Sequence, residues 1–396
     1  MATDSNNNNQ LLIDVKRLIF GAVIGLAGVL PVLSQQNPKG YEFEREMPLF
    51  LDQLKAELTY PMAWGNSPIE DFDAWRTAAR ATVTEAMLTP PPKSQDYRTE
   101  VIAEEKRDGY TCRKLTLNLT GYSRVYAYYL VPDGKGPFPT VLLLHDHGGH
   151  YSIGKEKMIR PFGVSEEKMK DAEDWAANCY GGQFLGDYLA AHGYAVFCTD
   201  ALFWGDRGRK EGINGNKHMD IAGHFMMLGR SWSAFMNFED MYATDYLTTL
   251  PEVDTERIGC AGFSMGAYRS WMLAALSDKI KTGVSICWMV DTGTQFSWEY
   301  GKENGGFANQ LPGLRQYLDY PHIASMACPK PMYFLNGSTD KLFPEPGVKS
   351  AFAEMHKVWK DNRADNRLKT EIWDMSHNCG IKVQLSILDY LDQWLK

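Results

Sequence analysis

The chain has 396 residues, a formal net charge of −8 and 44% hydrophobic residues. This composition is ordinary for a folded protein with a large core. Because the charge balance is negative and no segment is dense in lysine and arginine, nucleic acid is excluded as the expected partner. No internal repeat of fixed period is visible, so we expect one core with additions and not an array.

The N-terminal segment, residues 1–34, is predicted not to belong to the core. Lys16 and Arg17 precede an apolar run over residues 18–33. That run is short for a membrane span and predicts a secretory signal peptide. We therefore expect export to a bacterial periplasm or the extracellular space, without stable membrane insertion after signal removal. An uncleaved N-terminal membrane anchor is the alternative.

Residues 35–100 are predicted to form an N-terminal helical extension that packs on the core. Their pattern is polar and amphipathic and includes Trp64 and Trp75. The proline run at 90–92 marks a boundary, because proline ends helices and restricts the residue before it. The remaining residues, 101–396, are expected to form one domain.

This domain alternates between short apolar runs and helical segments. An antiparallel hairpin joined at Gly121 comes first. Further strands are predicted at about 140–144, 194–199, 257–261, 282–287, 331–335 and 368–374. The alternation predicts an α/β fold with a doubly wound, mainly parallel sheet, whose sites lie at the carboxyl ends of the strands. Long insertions follow several strands, and such loops are usually functional.

The most informative motif is Gly262-x-Ser264-x-Gly266, which follows a β-rich run and precedes a proline-free helical segment. Glycines on both sides of a serine let the chain turn sharply from strand to helix, which lifts the hydroxyl clear of the sheet. Since a serine hydroxyl is almost wholly protonated at neutral pH, it needs a base within hydrogen-bond reach. That base in turn needs an acid to orient it.

Candidates for both partners follow later in the chain. Asp340 lies in a loop just after a predicted strand, and His377 follows the last predicted strand. The order serine, aspartate, histidine is that of the α/β-hydrolases, so we expect Ser264 as nucleophile, Asp340 as orienting acid and His377 as base. Asp291, in the loop after the preceding strand, is an alternative acid that the sequence leaves open, and it is also expected to line the substrate pocket.

A second polar group, His145-Asp-His-Gly-Gly-His150, follows the predicted strand at 140–144. In a serine hydrolase of this kind, such a loop supplies one oxyanion N–H and the residue after the nucleophile supplies the other. We therefore expect the main chains of Met265 and His147 to form the oxyanion hole. The side chains of His145, Asp146 and His150 are expected to fix the loop or to line the substrate pocket.

Two other interpretations of this loop are disfavoured. Alternate histidines leaving a strand share a face and resemble zinc ligands. A metallohydrolase would need further ligands, however, and the serine motif would then have no purpose. The run from Gly149 to Lys155 fits most of a phosphate-binding loop, but Glu156 stands where serine or threonine would hold magnesium. We therefore expect neither a metal nor another cofactor.

On these residues the chain resembles an α/β-hydrolase of the dienelactone-hydrolase-like group, and most nearly its bacterial acetyl-xylan-esterase-like members. The resemblance covers residues 100–396 and rests on the 145–150 loop with Gly154-Lys-Glu-Lys157, the Gly205-Asp-Arg turn, the serine motif, the Asp340 loop and His377. It implies a serine carboxylesterase for small acyl esters, acetyl first, on carbohydrate. Two departures stand out: dienelactone hydrolases use a cysteine nucleophile, and glucuronoyl esterases have an arginine where Met265 stands.

The insertions add a predicted pocket. Their aromatic residues, with Trp204 and Trp288 among them, are expected to wall a space in which a sugar ring stacks. Asp206 and Arg207 are expected to form an ion pair that pins a loop near the site. The predicted partner is a small-molecule or oligosaccharide ester, and the oligomeric state is left open. Two other functions stay open: a serine exopeptidase of the same fold, and a catalytically silent binding protein.

The seven cysteines show no CxxC spacing, and an odd count leaves at least one thiol free. Cys198, Cys260 and Cys287 lie in or at the end of predicted core strands, where a reduced and inert thiol is the usual state. Cys379 closely follows His377, so we expect it near the site but without a catalytic role.

Overall fold

The computed structural model describes residues 50–208, 215–297 and 306–396, and its strands form one sheet in the order β1-β2-β3-β5-β4-β6-β7-β8-β9. The strands are β1 (Glu100–Arg107), β2 (Tyr110–Asn118), β3 (Arg124–Pro132), β4 (Phe138–Leu144), β5 (Ala195–Thr199), β6 (Val253–Phe263), β7 (Thr282–Ile286), β8 (Met332–Gly337) and β9 (Leu368–Trp373). The first three pair antiparallel, and β4 to β9 run parallel.

Helices cover both faces of this sheet. They are α1 (Phe50–Ala56), α2 (Phe72–Ala86), α3 (Glu166–Cys179), α4 (Leu185–Ala191), α5 (Gly215–Met227), α6 (Trp232–Leu247), α7 (Met265–Leu276), α8 (Thr292–Gln295), α9 (Tyr320–Ser325), α10 (Glu345–Asp361) and α11 (Ile381–Leu395). Two large apolar clusters fill the layers between helices and sheet. The predicted doubly wound, mainly parallel α/β fold is confirmed.

The structure contains a strand at each predicted position, and the central strands are covered on both faces. β5, β7 and β8 are buried along their whole length, and β5 and the first four residues of β8 appear in the sequence as apolar runs. The hairpin is also confirmed, since β2 pairs with β3 along its length. β1 was not predicted. It is an edge strand with no fully buried residue, so its sequence carries no apolar face to detect.

The described part of the predicted extension packs on the sheet domain. Asp71 caps α2 by accepting a hydrogen bond from Ala74 N at 2.8 Å. Trp75, Ala79 and Val83 recur at helical spacing, are fully buried and join the larger apolar cluster. The burial of this face against the sheet domain stabilises α2.

The predicted signal segment, residues 1–34, lies outside the described residues, as does the chain up to residue 49. None of the helices in the described ranges has both the length and the apolar character that a bilayer span requires.

Glycine is required where β4, β6 and α7 meet. A Cβ built on Gly266 would lie 1.8 Å from the Leu144 carbonyl oxygen, and one built on Gly262 would lie 2.2 Å from the Gly266 carbonyl. Both obstructing atoms are main chain and cannot rotate away. The close approach of these segments therefore excludes any side chain at either glycine.

We expect Gly266→Ala to prevent folding or to lower the melting temperature strongly, because the new methyl group overlaps the end of β4. The matched control is Gly223→Ala on α5, where a Cβ meets no atom within 4 Å. That variant should be neutral, or more stable by up to ~1 kcal/mol from helix propensity. Thermal unfolding followed by circular dichroism compares the two, and equal melting temperatures would contradict the packing argument.

Candidate active site

Ser264 occupies the sharp turn between β6 and α7. Its backbone has φ 55° and ψ −125°, a conformation that costs a non-glycine residue about 1–3 kcal/mol. Neighbouring hydrogen bonds hold it there: Ser264 N donates to Ile286 O at 2.8 Å, and its carbonyl accepts from Ala267 N at 2.8 Å. The strand–turn–helix setting that the serine motif predicts is therefore present, with the side chain half-buried.

The loops after β8 and β9 run side by side. Ser338 N donates to Trp373 O at 2.8 Å, and Thr339 N donates to Met375 O at 3.2 Å. This pairing extends the parallel contact of the two strands beyond their ends. As a result, the next residues of one loop face the next residues of the other.

Asp340 and His377 meet at this point. His377 Nδ1 lies 2.7 Å from Asp340 Oδ2, and Asp340 Oδ1 accepts from Leu342 N at 2.9 Å. The aspartate side chain is fully buried, whereas the imidazole keeps 23% of its surface exposed. When Nδ1–H donates to the carboxylate, Nε2 carries the free lone pair and can act as a base.

The imidazole lies next to the serine turn. Its ring is 4.7 Å from the ring of Phe263, the residue before Ser264, and 5.9 Å from that of Phe343. No hydrogen bond joins the Ser264 hydroxyl to His377 among the described residues. Catalytic hydrogen bonds are often long before a substrate is bound, so this arrangement is compatible with a nucleophile–base pair.

Asp291, the alternative acid, has a different task. It is the N-cap of α8, and its carboxylate accepts a hydrogen bond from Thr294 N at 2.6 Å. The Asp291 side chain thus bonds within the first turn of α8, whereas Asp340 bonds His377 directly. The geometry therefore favours Asp340 as the partner of the histidine.

The two predicted oxyanion donors have unused N–H groups. In the part of the chain that the structure describes, neither Met265 N nor His147 N donates a hydrogen bond. Met265 is the first residue of α7, where main-chain N–H groups lack intrahelical partners. The peptide group between Asp146 and His147 is held by hydrogen bonds to its carbonyl oxygen. Its carbonyl, on Asp146, contacts His145 Nδ1 at 2.8 Å and Lys157 Nζ at 3.3 Å.

His145 fixes the loop. Its Nε2 accepts a hydrogen bond from Ala201 N at 2.9 Å, so Nδ1 must carry the proton that it donates to Asp146 O. The ring is fully buried, and burial lowers the pKa of His145 well below its usual value. The imidazole is therefore neutral and ties the loop after β4 to the loop after β5. It does not face an open pocket.

Asp146 and His150 tie the same loop to α3 and its end. Asp146 Oδ2 accepts from Tyr180 OH at 2.7 Å and from Trp175 Nε1 at 3.2 Å. His150 pairs with Asp171, and its ring lies 4.9 Å from that of Trp175. Of the two roles that the sequence allows them, fixing the loop is the one this geometry supports. His145 and His150 therefore bond to separate partners.

Lys155 is the centre of a buried charge network. Its Nζ lies 2.8 Å from Glu156 Oε1, 2.8 Å from Asp200 Oδ2 and 2.6 Å from Asp206 Oδ2. Lys168 adds a second ammonium 2.7 Å from Asp206 Oδ1. Burial alone would lower the pKa of Lys155, but the three carboxylates outweigh it and raise that pKa well above its usual value. No local sequence pattern predicted this role of Lys155.

The predicted ion pair between Asp206 and Arg207 is wrong. Asp206 bonds to Lys155 and Lys168, whereas Arg207 makes two bonds to Glu239, at 2.6 and 2.8 Å. Consecutive residues of a helical turn point in different directions, so each finds its own partner. The predicted consequence, a pinned loop, is nevertheless achieved by these other pairs.

Trp204 and Trp288 lie below the surface. Trp204 is fully buried and stacks on Trp232 with ring centroids 5.6 Å apart. Trp288 is 3% exposed and packs at 5.0 Å from Tyr268. Neither presents a ring face to solvent, so the structure does not bear out their predicted contact with a sugar. They form the core beneath the insertions instead.

A cavity of about 260 Å³ lies among these insertions. Its lining combines apolar side chains with the polar groups of Ser231, Gln310 and Arg315. It includes neither Ser264 nor His377. The lining residues are Ala222, Met226, Ser231, Trp232, Phe296, Phe307, Gln310, Leu311, Pro312, Arg315 and Tyr320. Trp232, which lines the cavity, belongs to the same apolar cluster as Met265, the residue after Ser264.

His218, on α5, is a residue near the site that the sequence did not reveal. Its ring lies 5.7 Å from that of His147 and 4.5 Å from that of Tyr151. It is 4% exposed, and its Nε2 has no partner among the described residues. Burial lowers the pKa of His218 to about 4, so the ring is neutral at physiological pH. His218 approaches His147 only because the insertion after β5 folds over the site, and no local sequence pattern predicts that contact.

Comparisons of sequence identify a family and a relative. A sequence profile of the Abhydrolase family matches residues 49–357. This range begins before α2 and includes Ser264 and Asp340, and it ends before His377. YtaP of Bacillus subtilis (strain 168), which is named as a hydrolase, is 27% identical over 310 residues. The aligned region covers 78% of this chain and 96% of YtaP.

Three solved structures share the fold. A protein of Bacteroides fragilis NCTC 9343 described as an acetyl xylan esterase has a TM-score of 0.62 at 16% identity, over 82% of this chain and 81% of that one. A glucuronoyl esterase from Solibacter usitatus gives 0.60 at 15%, over 84% and 96%. Acetyl xylan esterase 1 from Thermoanaerobacterium sp. JW/SL YS485 gives 0.53 at 17%, over 88% and 99%. At these identities the likeness establishes the fold.

We expect Lys155→Met to lower the free energy of unfolding by about 3–5 kcal/mol, because it leaves buried carboxylates without their counter-charge. Urea denaturation measures the change. Lys170→Met is the matched control: its ammonium pairs with Asp174 at the surface, where ion pairs contribute little. An unfolding midpoint for Lys155→Met equal to that of the control would contradict the role assigned to the network.

Proposed function

The chain belongs to the Abhydrolase family of α/β-hydrolases, and on that premise we propose that it is a serine carboxylesterase for small acyl esters, acetyl first, on carbohydrate. The observation that carries the proposal is the 2.7 Å hydrogen bond between buried Asp340 and His377, beside the turn that presents Ser264. A serine, a histidine and a buried aspartate in this arrangement suit acyl transfer. No cofactor takes part in the proposed reaction.

In the proposed mechanism, Ser264 Oγ attacks the ester carbonyl carbon while His377 Nε2 takes the hydroxyl proton. Asp340 holds the imidazole in the productive tautomer and stabilises its positive charge. The bond to the leaving oxygen then breaks, and His377 protonates the alcohol. Water, activated by the same histidine, attacks the acyl-enzyme and releases the acid together with free Ser264.

The N–H groups of Met265 and His147 are the proposed oxyanion donors. Support comes from the anchoring of the peptide before His147: His145 and Lys157 hold its carbonyl, so its trans N–H is directed the opposite way. A donor fixed in advance needs no rearrangement when charge develops on the carbonyl oxygen. One such donor is typically worth about 10²–10³ in kcat.

The substrate class rests on weaker support than the chemistry. The names of the structural relatives, acetyl xylan esterase and glucuronoyl esterase, point to carbohydrate esters. Met265 stands where glucuronoyl esterases have an arginine, which favours the acetyl ester of the two. Export of the chain through residues 1–34 is part of this proposal, since polysaccharide substrates lie outside the cell.

The first test is hydrolysis of nitrophenyl esters from acetate to octanoate by the purified chain. We expect acetate to be turned over fastest, Ser264→Ala to remove the activity, and EDTA not to lower it. Acetylated xylan oligosaccharides then test the carbohydrate. Hydrolysis that survives Ser264→Ala would contradict the proposal. Preferential cleavage of aminoacyl-nitroanilides would favour the exopeptidase, and no turnover of any substrate would favour a binding protein.

A second test separates the two candidate acids. We expect Asp340→Asn to lower kcat for nitrophenyl acetate by about 10⁴, because an amide at this position favours the wrong imidazole tautomer. Asp291→Asn is the matched control, and it should retain most of the activity because asparagine also caps helices. Steady-state kinetics of both variants give the comparison. The reverse pattern of losses would make Asp291 the acid.

A further inference from the structure

Cys287, directly after β7, places a thiol beside the proposed catalytic pair. One ligand atom from each of Cys287, Asp340 and His377 lies within 4.8 Å of the other two. The backbone holds the cysteine there in an uncommon conformation, with φ 56° and a hydrogen bond from its N–H to Leu335 O at 2.7 Å. Three side chains of metal-binding types thus converge where β7, β8 and β9 end.

We propose that Cys287, Asp340 and His377 form a binding site for a thiophilic divalent cation of the zinc type, which inhibits the hydrolase when bound. The binding stands on geometry alone. The inhibition rests on the proposed function, since it requires that His377 is the catalytic base. We call these three residues the thiol–triad cluster.

The donor set selects the class of cation. Thiolate, imidazole and carboxylate are the ligands that zinc and its close analogues prefer, whereas magnesium and calcium take oxygen donors. Donors bound to zinc at about 2.0–2.3 Å lie about 3.5 Å apart in a tetrahedron. A cluster whose ligand atoms already lie within 4.8 Å of one another needs only small side-chain movements to close on an ion.

Cation binding would break only a weak hydrogen bond of the Cys287 thiol. Its hydrogen bond to the Asn378 carbonyl is long, at 3.9 Å, and such sulfur contacts are weak. Cys287 and Asp340 are buried, but His377 keeps part of its ring exposed, so an ion can approach past the imidazole. Three protein ligands would leave the fourth position of a tetrahedral ion for water.

Binding at the thiol–triad cluster removes the base. The Cys287 thiol releases its proton to solvent and a sulfur–metal bond forms, and the hydrogen bond between His377 and Asp340 breaks where the ion binds Nδ1. If the ion binds Nε2, it occupies the lone pair that would accept the serine proton. If it binds Nδ1, the ring proton moves to Nε2, which then cannot accept another. Either arrangement leaves Ser264 without a base.

Cadmium is the probe for binding, because its bond to a thiolate gives an ultraviolet charge-transfer band. We expect one equivalent of Cd²⁺ to produce this band in the metal-free full-length chain, and both Cys287→Ala and Cys287→Ser to lose it. The matched control is Cys379→Ala, which removes another buried thiol close to His377 but outside the cluster. Absence of the band in the unaltered chain, or its retention in the Cys287 variants, would overturn the proposal.

The activity arm uses Zn²⁺ and nitrophenyl acetate. We expect Zn²⁺ to inhibit the unaltered chain and Cys379→Ala alike, with recovery on adding EDTA. In the Cys287 variants, half-inhibition should require at least roughly 100-fold more Zn²⁺, because loss of even an outer-shell partner lowers metal affinity 10–100-fold. Cd²⁺ binding without any esterase activity would refute the proposed function and leave the site standing. Esterase activity without Cd²⁺ binding would refute the site alone.

Discussion

The proposed site depends on one buried ammonium. Lys155 holds Glu156, Asp200 and Asp206 around a single charge and so joins the loop after β4 to the loop after β5. Buried ion pairs of this kind seldom add net stability, because removing the charges from water costs about as much as their attraction returns. Their benefit is a fixed geometry. An arrangement of the loops that separates Lys155 from these carboxylates would leave a charge buried without a partner.

The machinery of the site is built largely from main chain. The serine turn puts an L-residue in a strained conformation, and the absence of side chains on Gly262 and Gly266 lets β4 and α7 approach closely enough to hold it. The two unused N–H groups of the proposed oxyanion hole belong to the first residue of a helix and to an anchored peptide. Because their positions follow from backbone packing, they vary little with side-chain motion, which is what preorganised stabilisation of charge requires.

The sequence was informative wherever a local rule determines the outcome. The alternation of β-rich runs with helical segments predicted β4 to β9, and the glycine spacing predicted the turn at Ser264. Local rules say nothing about contacts between distant segments. The partner of Asp206, the burial of Trp204 and the approach of His218 to His147 all depend on how the insertions fold. The choice between Asp340 and Asp291 is of the same kind, since both follow neighbouring strands and only the pairing of the β8 and β9 loops distinguishes them.

The cavity among the insertions is built by segments of the chain other than those that carry the proposed catalytic residues. Every residue that lines the cavity lies between β5 and β6 or between β7 and β8, whereas Ser264, Asp340 and His377 stand on turns that the sheet itself defines. Substitutions in these two segments can therefore change the shape of the cavity without any change in the residues proposed to act on the ester bond. The same modularity makes those two segments natural units to graft between members of the family.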